Sequence, residues 1–292
     1  MPFGPTDVFW IGVVPCLAAA LAMLVAGRLR STAAWSLSVA SGLVGGMVAK
    51  NVRVGWQTAL EKLIHPHAAI DWLPWLVLVA AGISTLAVYA LRTWQRWLVA
   101  LACVFALAVP FRLLASNAAA MSRWTVTEKL AILAFWSVTF AAVWLSLALG
   151  RRNRQPLVRG SLLAVVALGI SVTLAASGAI TLGELGGIAA ATVLGATGSA
   201  SVLGRISDGP SHAAGPLAVM LGSLILLGYS YDLSATNAAL LTVSLAAAGG
   251  WLPTNWPPHS GWQAAFRAAL ALIPLSIAAA SAISTALADT YG

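Results

Sequence analysis

Apolar runs of about twenty residues recur along the whole chain of 292 residues. Each run is long enough to cross a hydrocarbon core of about 30 Å as an α-helix. Hydrophobic residues make up 60% of the sequence and charged residues only 8%, whereas roughly a quarter of a soluble domain is charged. A water-soluble core could not bury so many apolar runs. The sequence therefore predicts an all-α, polytopic integral membrane helix bundle with little protein outside the bilayer.

The apolar runs divide into about ten predicted transmembrane helices. They cover residues 8–27, 33–49, 72–91, 97–116, 130–150, 160–180, 185–204, 213–231, 235–252 and 263–286. The hinges before the seventh and ninth runs are short, so fusion of one pair leaves nine spans and fusion of both leaves eight, as the alternatives. Residues 1–7 contain no Lys or Arg, unlike the charged leader of a signal peptide. The first run is therefore predicted to remain as a helix.

Arginines alternate from loop to loop and predict the orientation. One set of loops carries Arg28, Arg30, Arg92, Arg96, Arg151, Arg152, Arg154, Arg159 and Arg205. Positively charged loops face the cytoplasm, so both termini are predicted outside a bacterial-type cytoplasmic (inner) membrane. The formal charge of +8 accompanies no basic stripe or aromatic-basic motif, so nucleic acid is not an expected partner. The lipid bilayer is the expected environment.

The acids give an independent prediction of the same topology. Five of them lie at or just before the starts of odd-numbered helices: Asp7, Asp71, Glu128, Glu184 and Asp232. A carboxylate there accepts unpaired backbone N–H groups and complements the positive helix end. Thr125 with Glu128, and Thr181 with Glu184, match the Thr-x-x-Glu capping box.

The two halves of the chain differ in composition. Residues 1–150 form a predicted five-helix half with ten of the thirteen tryptophans, and residues 151–292 form a second half with seventeen of the twenty-six glycines. Small residues let helices approach closely in lipid, so the sixth and seventh helices are predicted to be buried. In the loop 50–71, apolar residues at helical spacing predict a short interfacial helix near 54–64, ended by Pro66.

Three charged residues are candidate ligand-binding residues. Arg112 lies about 24 Å along its helix from Arg96, close to the outer headgroups. It is either a cation that extends to water or an outward-facing anion site. Glu128 and Glu184 have the capping box as their structural explanation, and a capping carboxylate can also pair with Arg112.

Prolines add a second, geometric hypothesis. Pro15, Pro110 and Pro274 lie inside the first, fourth and tenth predicted helices. Each removes a backbone hydrogen bond and bends its helix. If these helices adjoin, the bends would open an outward-facing pocket beneath Arg112. Proline is also common in membrane helices without such a role.

Other motifs favour structural explanations. His65-Pro-His67 with Glu61 is too small a set for a structural zinc site, which takes four ligands. No metal and no cofactor is predicted. The spacing of Trp136, Phe140 and Trp144 favours helix packing or lipid contact over a pigment or quinone groove. Cys16 and Cys103 fall inside predicted spans and are expected as free, small buried hydrophobes.

Three functions remain open. A permease for a small organic or anionic solute fits ten helices, proline bends and two five-helix halves of opposite orientation, the inverted-repeat plan of many transporters. A non-catalytic membrane subunit or scaffold, with membrane-protein partners, fits the minimal loops and the absence of Asp, Glu, Lys or His near mid-membrane. An enzyme would need the 50–71 loop, where Glu61, His65, His67 and Asp71 occur. A transporter requires a polar cavity that reaches mid-membrane, and a scaffold requires a sealed core and a surface unlike a lipid-facing one.

Overall fold

A computed structural model describes residues 5–28, 33–89, 92–117, 122–149, 156–204, 210–249 and 261–291. All regular structure within these ranges is helical. Helix α1 comprises Pro5–Val8, a π-helical segment Phe9–Val13 and Val14–Arg28. The others are α2 (Ala34–Val54), α3 (Trp56–Ile64), α4 (Leu73–Tyr89), α5 (Arg92–Ala115), α6 (Val126–Leu149), α7 (Pro156–Ala176), α8 (Ile180–Val202), α9 (Ala214–Tyr231), α10 (Ala235–Gly249) and α11 (Gly261–Tyr291). Short 3-10 helices, Ala69–Trp72 and Pro210–Ala213, precede α4 and α9.

Seven described helices are long and apolar enough to cross a membrane, which indicates a membrane-embedded protein. They cover Thr6–Arg28, Ala69–Ala87, Val126–Ala148, Leu157–Ala176, Ile180–Val202, Pro210–Tyr231 and Ala265–Asp289. The apolar parts of α5 and α10, Ala100–Ala115 and Ala235–Gly249, are shorter. All ten predicted segments are helical in their described parts, but ten spans are not confirmed by length and apolarity.

Helix α2 contains several serines and glycines and ends in polar residues, which lowers its hydropathy. Two of its serines nevertheless have partners inside the bundle. Ser36 donates a hydrogen bond to the Ala81 carbonyl oxygen at 3.1 Å, and Ser38 donates to the Ala19 carbonyl oxygen at 2.7 Å. Such bonds satisfy hydroxyls that hydrocarbon would leave unpaired. The low hydropathy of α2 therefore reflects helix packing.

The helices form a ring around a central helix. Within the described chain, α2, α4, α5, α6, α10, α7 and α8 pack in that order and close on α2, with α9 inside. Helix α1 packs outside α2 and α8, and α11 packs outside α7 and α10. The sixth and seventh predicted helices, α7 and α8, are partly buried, but the most buried helix is α9. An apolar stretch of 18 residues is 50% buried in Leu157–Ala176 and 61% buried in Ile180–Val202, against 94% in Pro210–Tyr231.

Glycine allows the closest helix contacts. A methyl group at Gly195 of α8 would overlap the backbone of Cys16 in α1. Likewise, side-chain atoms of Ile188 and Pro15 would obstruct a methyl group at Gly46 of α2. Small residues thus bring α1, α2 and α8 into backbone-level contact, as the glycine pattern predicts.

Pro15 explains the π-helical start of α1. Proline has no N–H, and its ring crowds the carbonyl one turn earlier. The residue before it, Val14, donates its N–H to the Phe9 carbonyl five residues back, which is the π-helical pattern. The wider turn at Phe9–Val13 accommodates the proline without ending the helix.

One of the two predicted capping boxes is confirmed and the other is wrong. The Thr125 N–H donates to Glu128 Oε2 at 2.8 Å, and the Glu128 N–H donates to Thr125 Oγ1 at 3.3 Å. In contrast, α8 begins at Ile180, before Thr181, and no side chain caps its first residue. Glu184 then lies inside the helix, where its carboxylate is free to bind elsewhere.

A helix, α3, forms at Trp56–Ile64, where the sequence predicts an interfacial helix near 54–64. Its apolar residues Trp56, Leu60 and Ile64 are exposed, as expected of a helix that lies on a membrane surface. Several predicted features lie outside the described residues. They are Arg30, Arg151, Arg152, Arg154 and Arg205, together with residues 251–256. The arginine pattern is therefore traced only in part.

Candidate functional site

The described carboxylates gather at one end of the bundle. This end, called the acidic end here, holds the starts of α1, α4, α6 and α8 and the ends of α2, α5 and α9, with Asp7, Asp71, Glu128, Glu184 and Asp232. The opposite, basic end holds Arg28, Arg159 and Arg267. Successive helices run in opposite directions, which places the two sets of residues at opposite ends of the bundle. The close approach of Leu203 to Gly27 at the basic end agrees with this arrangement.

An ion pair at the acidic end joins the two halves of the chain. Lys50 Nζ at the end of α2 lies 2.6 Å from Glu184 Oε2 near the start of α8. The ammonium group also donates to the Thr181 carbonyl oxygen at 3.1 Å. Each side chain of the pair is only 17% exposed. Glu184, a candidate ligand-binding residue, is therefore already bound to Lys50 of the protein itself.

A second ion pair lies beside the first. Arg53, one turn beyond Lys50, binds the carboxylate of Asp7 at the start of α1. The Asp7 side chain is nearly buried, with 8% exposed. Together the two pairs hold the ends of α1, α2 and α8 in contact, and they neutralise cations that would otherwise oppose the predicted charge asymmetry of the loops.

Arg112 lies against an aromatic ring and not against Glu128. Its guanidinium carbon is 3.8 Å from the centre of the Trp72 ring, in cation–π geometry. The described chain contains two ion pairs, and neither includes Arg112 or Glu128. Arg112 is exposed at the acidic end, so a ligand that approached from that side would meet it first.

The three helix prolines lie on helices with different main partners. Pro15 in α1 contacts the α2 and α8 region, Pro110 in α5 is buried, and Pro274 in α11 is partly exposed. Helix α5 packs mainly against α6, α4 and α9, whereas α11 packs against α10 and α7. The described packing does not bring the three bends together into one pocket.

The polar loop residues remain dispersed. Glu61, His65 and His67 are exposed, and Asp71 accepts a hydrogen bond from the Ala68 N–H at 3.0 Å. No group of three His, Cys, Asp or Glu side chains in the described ranges is placed to hold a metal ion. These side chains therefore offer no assembled reaction centre.

The aromatic stripe on α6 packs inside the bundle. Trp136, Phe140 and Trp144 are all buried. Trp136 lies 6.0 Å from the Tyr229 ring, and Trp144 makes an edge contact with Phe105 at 6.3 Å. The predicted packing role is confirmed. Cys16 and Cys103 are free thiols, as expected, but both are only partly buried, whereas the sequence predicts buried side chains.

A groove on the outside of the ring, between α2 and α4, was missed in the sequence. Its volume is about 690 Å³. Apolar and small residues line it: Leu37, Ala40, Ser41, Val44, Gly45, Leu78, Ala81, Gly82, Thr85 and Leu86. Ser41 and Gly45 form a small-xxx-small pair, the available sequence signal, but this spacing alone does not tell whether a face is already occupied.

A buried arginine at the basic end was also missed. Arg159 is only 5% exposed and donates from Nη2 to the Leu147 carbonyl oxygen at the end of α6. Its position in the first turn of α7 is the signal that was available, because a cation there opposes the helix dipole.

Comparisons with known proteins supply no family. Neither the protein-family models, nor the curated proteins, nor the solved structures include a match to this chain. The chemistry at hand is thus two ion pairs, a cation–π contact, a small-residue groove and a buried arginine.

Proposed function

We propose that the protein is a non-catalytic subunit or scaffold of a larger membrane complex. The observation that carries the proposal is the burial of the central helix: within Pro210–Tyr231, which contains α9, an apolar stretch of 18 residues is 94% buried. Its side chains at the centre of the bundle, such as Leu217, Leu221 and Leu224, are fully buried. A buried, close-packed centre supports a fixed structural role more than a pathway for polar solutes.

The groove between α2 and α4 is the proposed binding surface for a partner's transmembrane helix. Unlike Thr242 and Ser276, which bond to carbonyls of their own helices, Ser41 and Thr85 have no hydrogen-bond partner in the described chain. Lipid tails cannot satisfy these hydroxyls, whereas a closely packed helix offers carbonyl oxygens. Gly82 has open space around its Cα, so a second backbone can approach.

The proposed topology has ten spans in a bacterial-type inner membrane, with both termini outside. The acidic end then faces outward and the basic end faces the cytoplasm, in line with the positive-inside rule. Helices α2, α5 and α10 count as spans because the ring around α9 needs them to close.

Photo-cross-linking in native membranes tests the partner. A photoreactive residue at Ser41 is expected to give an adduct with an apolar segment of another membrane protein. The same residue at Val165, exposed on α7, is the control outside the groove. Filling the groove with Gly82→Leu, where a side chain meets open space, should abolish the Ser41 adduct without loss of folded protein.

Three outcomes would contradict the proposal. They are adducts with lipid alone, adducts with a second copy of this chain, and equal yields from Ser41 and Val165. A second copy would make the groove a self-association surface.

A permease for a small organic or anionic solute is the second candidate. The ion pairs at the acidic end favour it, because they join α1 and α2 to α8 and resemble a closed outer gate. In this alternative Arg112 recruits an anionic solute, Glu128 and Glu184 are further candidate ligand residues, and the bends at Pro15, Pro110 and Pro274 provide movement. Arg112→Ala should then weaken anion-induced thermal stabilisation of the pure protein more than it lowers the Tm itself. Equal losses of both would contradict it.

A further inference from the structure

We infer a binding site for a phosphate group at the basic end, formed by Arg159 and Arg267. The inference goes beyond the proposed scaffold role and does not depend on it. Arg159 lies in the first turn of α7 and Arg267 near the start of α11. These two helices pack against each other.

Arg159 has unused binding capacity in a buried place. A guanidinium group has five N–H donors. One nitrogen, Nη2, donates to the Leu147 carbonyl oxygen, while Nε is buried without a hydrogen-bond partner among the described residues. An unpaired donor on a charged group that is 95% shielded from solvent is costly. Leu147 therefore satisfies the group only in part.

The local charge is uncompensated within the described chain. Arg267 lies close enough to repel Arg159 electrostatically. The described carboxylates lie at the other end of the bundle, and neither arginine forms an ion pair. Two adjacent cations in a poorly hydrated place repel each other. An anion that lies between or beside them relieves this repulsion.

A phosphate group matches this site in three respects: its charge, the hydrogen-bond donors that its oxygens need, and its level in the membrane. Guanidinium groups bind phosphate oxygens in bidentate fashion. Arg267 lies at the end of the candidate span Ala265–Asp289, and Arg159 near the end of Leu157–Ala176. That is the level at which lipid headgroup phosphates lie. The phosphate belongs either to an anionic lipid or to a free ion or metabolite from solution.

Two probes distinguish these sources. Native mass spectrometry of the protein from nanodiscs of phosphatidylglycerol or phosphatidylcholine measures retained lipid, and thermal shift in detergent measures the response to inorganic phosphate. Retention of phosphatidylglycerol indicates the lipid source, and stabilisation by phosphate indicates the free source. Arg267→Gln should weaken the positive response by about tenfold, the loss expected for one charge-assisted contact.

The controls keep the test decisive. Arg28→Gln removes an exposed arginine at the same end and should leave the response unchanged. Arg159→Lys keeps the charge but loses the planar donor set, and should weaken the response while the protein still folds, as size-exclusion chromatography would verify. The inference is overturned if the wild type responds to neither probe, or if Arg267→Gln and Arg28→Gln respond alike.

Discussion

Thr125 and Thr181 each precede a glutamate by three residues, yet only Thr125 caps a helix. The difference lies in Lys50, which is 2.6 Å from Glu184. A partly buried ammonium group is a stronger partner for Glu184 than a backbone N–H, and α8 extends to Ile180 beyond the expected start. The local sequence contains the Thr-x-x-Glu pattern, but it does not show that Lys50, distant in the chain, lies beside Glu184. The capping box was therefore predictable at Thr125 and unpredictable at Thr181.

Matched threonine substitutions test this distinction. Thr125→Ala should lower the free energy of unfolding by about 1 kcal/mol, because it removes the N-cap hydroxyl. Thr181→Ala should change it little, because Lys50 binds the carbonyl oxygen of residue 181, which alanine retains. Thermal unfolding in one detergent gives both values. Equal losses in the two variants would mean that both threonines act as caps.

Exchange of the Lys50–Glu184 pair tests its contribution to stability. Glu184→Gln should cost about 1 to 3 kcal/mol, between the values for exposed and buried pairs, because it leaves a partly buried ammonium group without its counter-charge. The double change Lys50→Glu with Glu184→Lys should recover part of the Tm. Glu61→Gln, at an exposed residue of α3, is the control. No recovery in the swapped protein would show that the pair is not the source of the effect.

The sequence predicted where the helices lie along the chain, but it did not predict which helices pack against each other. The period and length of apolar runs place all ten segments, since a hydrocarbon core requires continuous helices. Burial is not encoded in the same way. Helix α9 is apolar all round, as both a lipid-facing and a central helix would be, because lipid tails are as apolar as leucine. Glycines carried the better signal, and they correctly marked α8 as a packed helix.

Two glycines of α8 allow a matched test of close packing. Gly195→Ala should lower the Tm clearly and reduce the folded yield, because the new methyl group meets the Cys16 backbone, which cannot move aside. Gly198→Ala meets nothing within 4 Å and should be neutral or slightly stabilising, since alanine favours the helix by about 1 kcal/mol. Thermal unfolding of both variants is the measurement. A neutral Gly195→Ala would disprove the close approach of α1 and α8.

The molecule as a whole is a ring of helices closed around α9, clamped at the acidic end by two ion pairs. Its membrane class was predictable from composition. The groove and the buried Arg159 were not, because both depend on which helices are neighbours in space. The choice between scaffold and permease depends on whether the centre stays closed to water.

Cysteine accessibility at Ser223 tests that choice most directly. The Ser223 hydroxyl is fully buried on α9 without a hydrogen-bond partner, and cysteine is similar in size. In a background with Cys16→Ala and Cys103→Ala, Ser223→Cys should resist a membrane-impermeant thiol reagent from both sides of the membrane. Glu61→Cys, at an exposed polar residue of α3, should react within the same time. Labelling of Ser223→Cys at a comparable rate from either side would contradict the sealed scaffold.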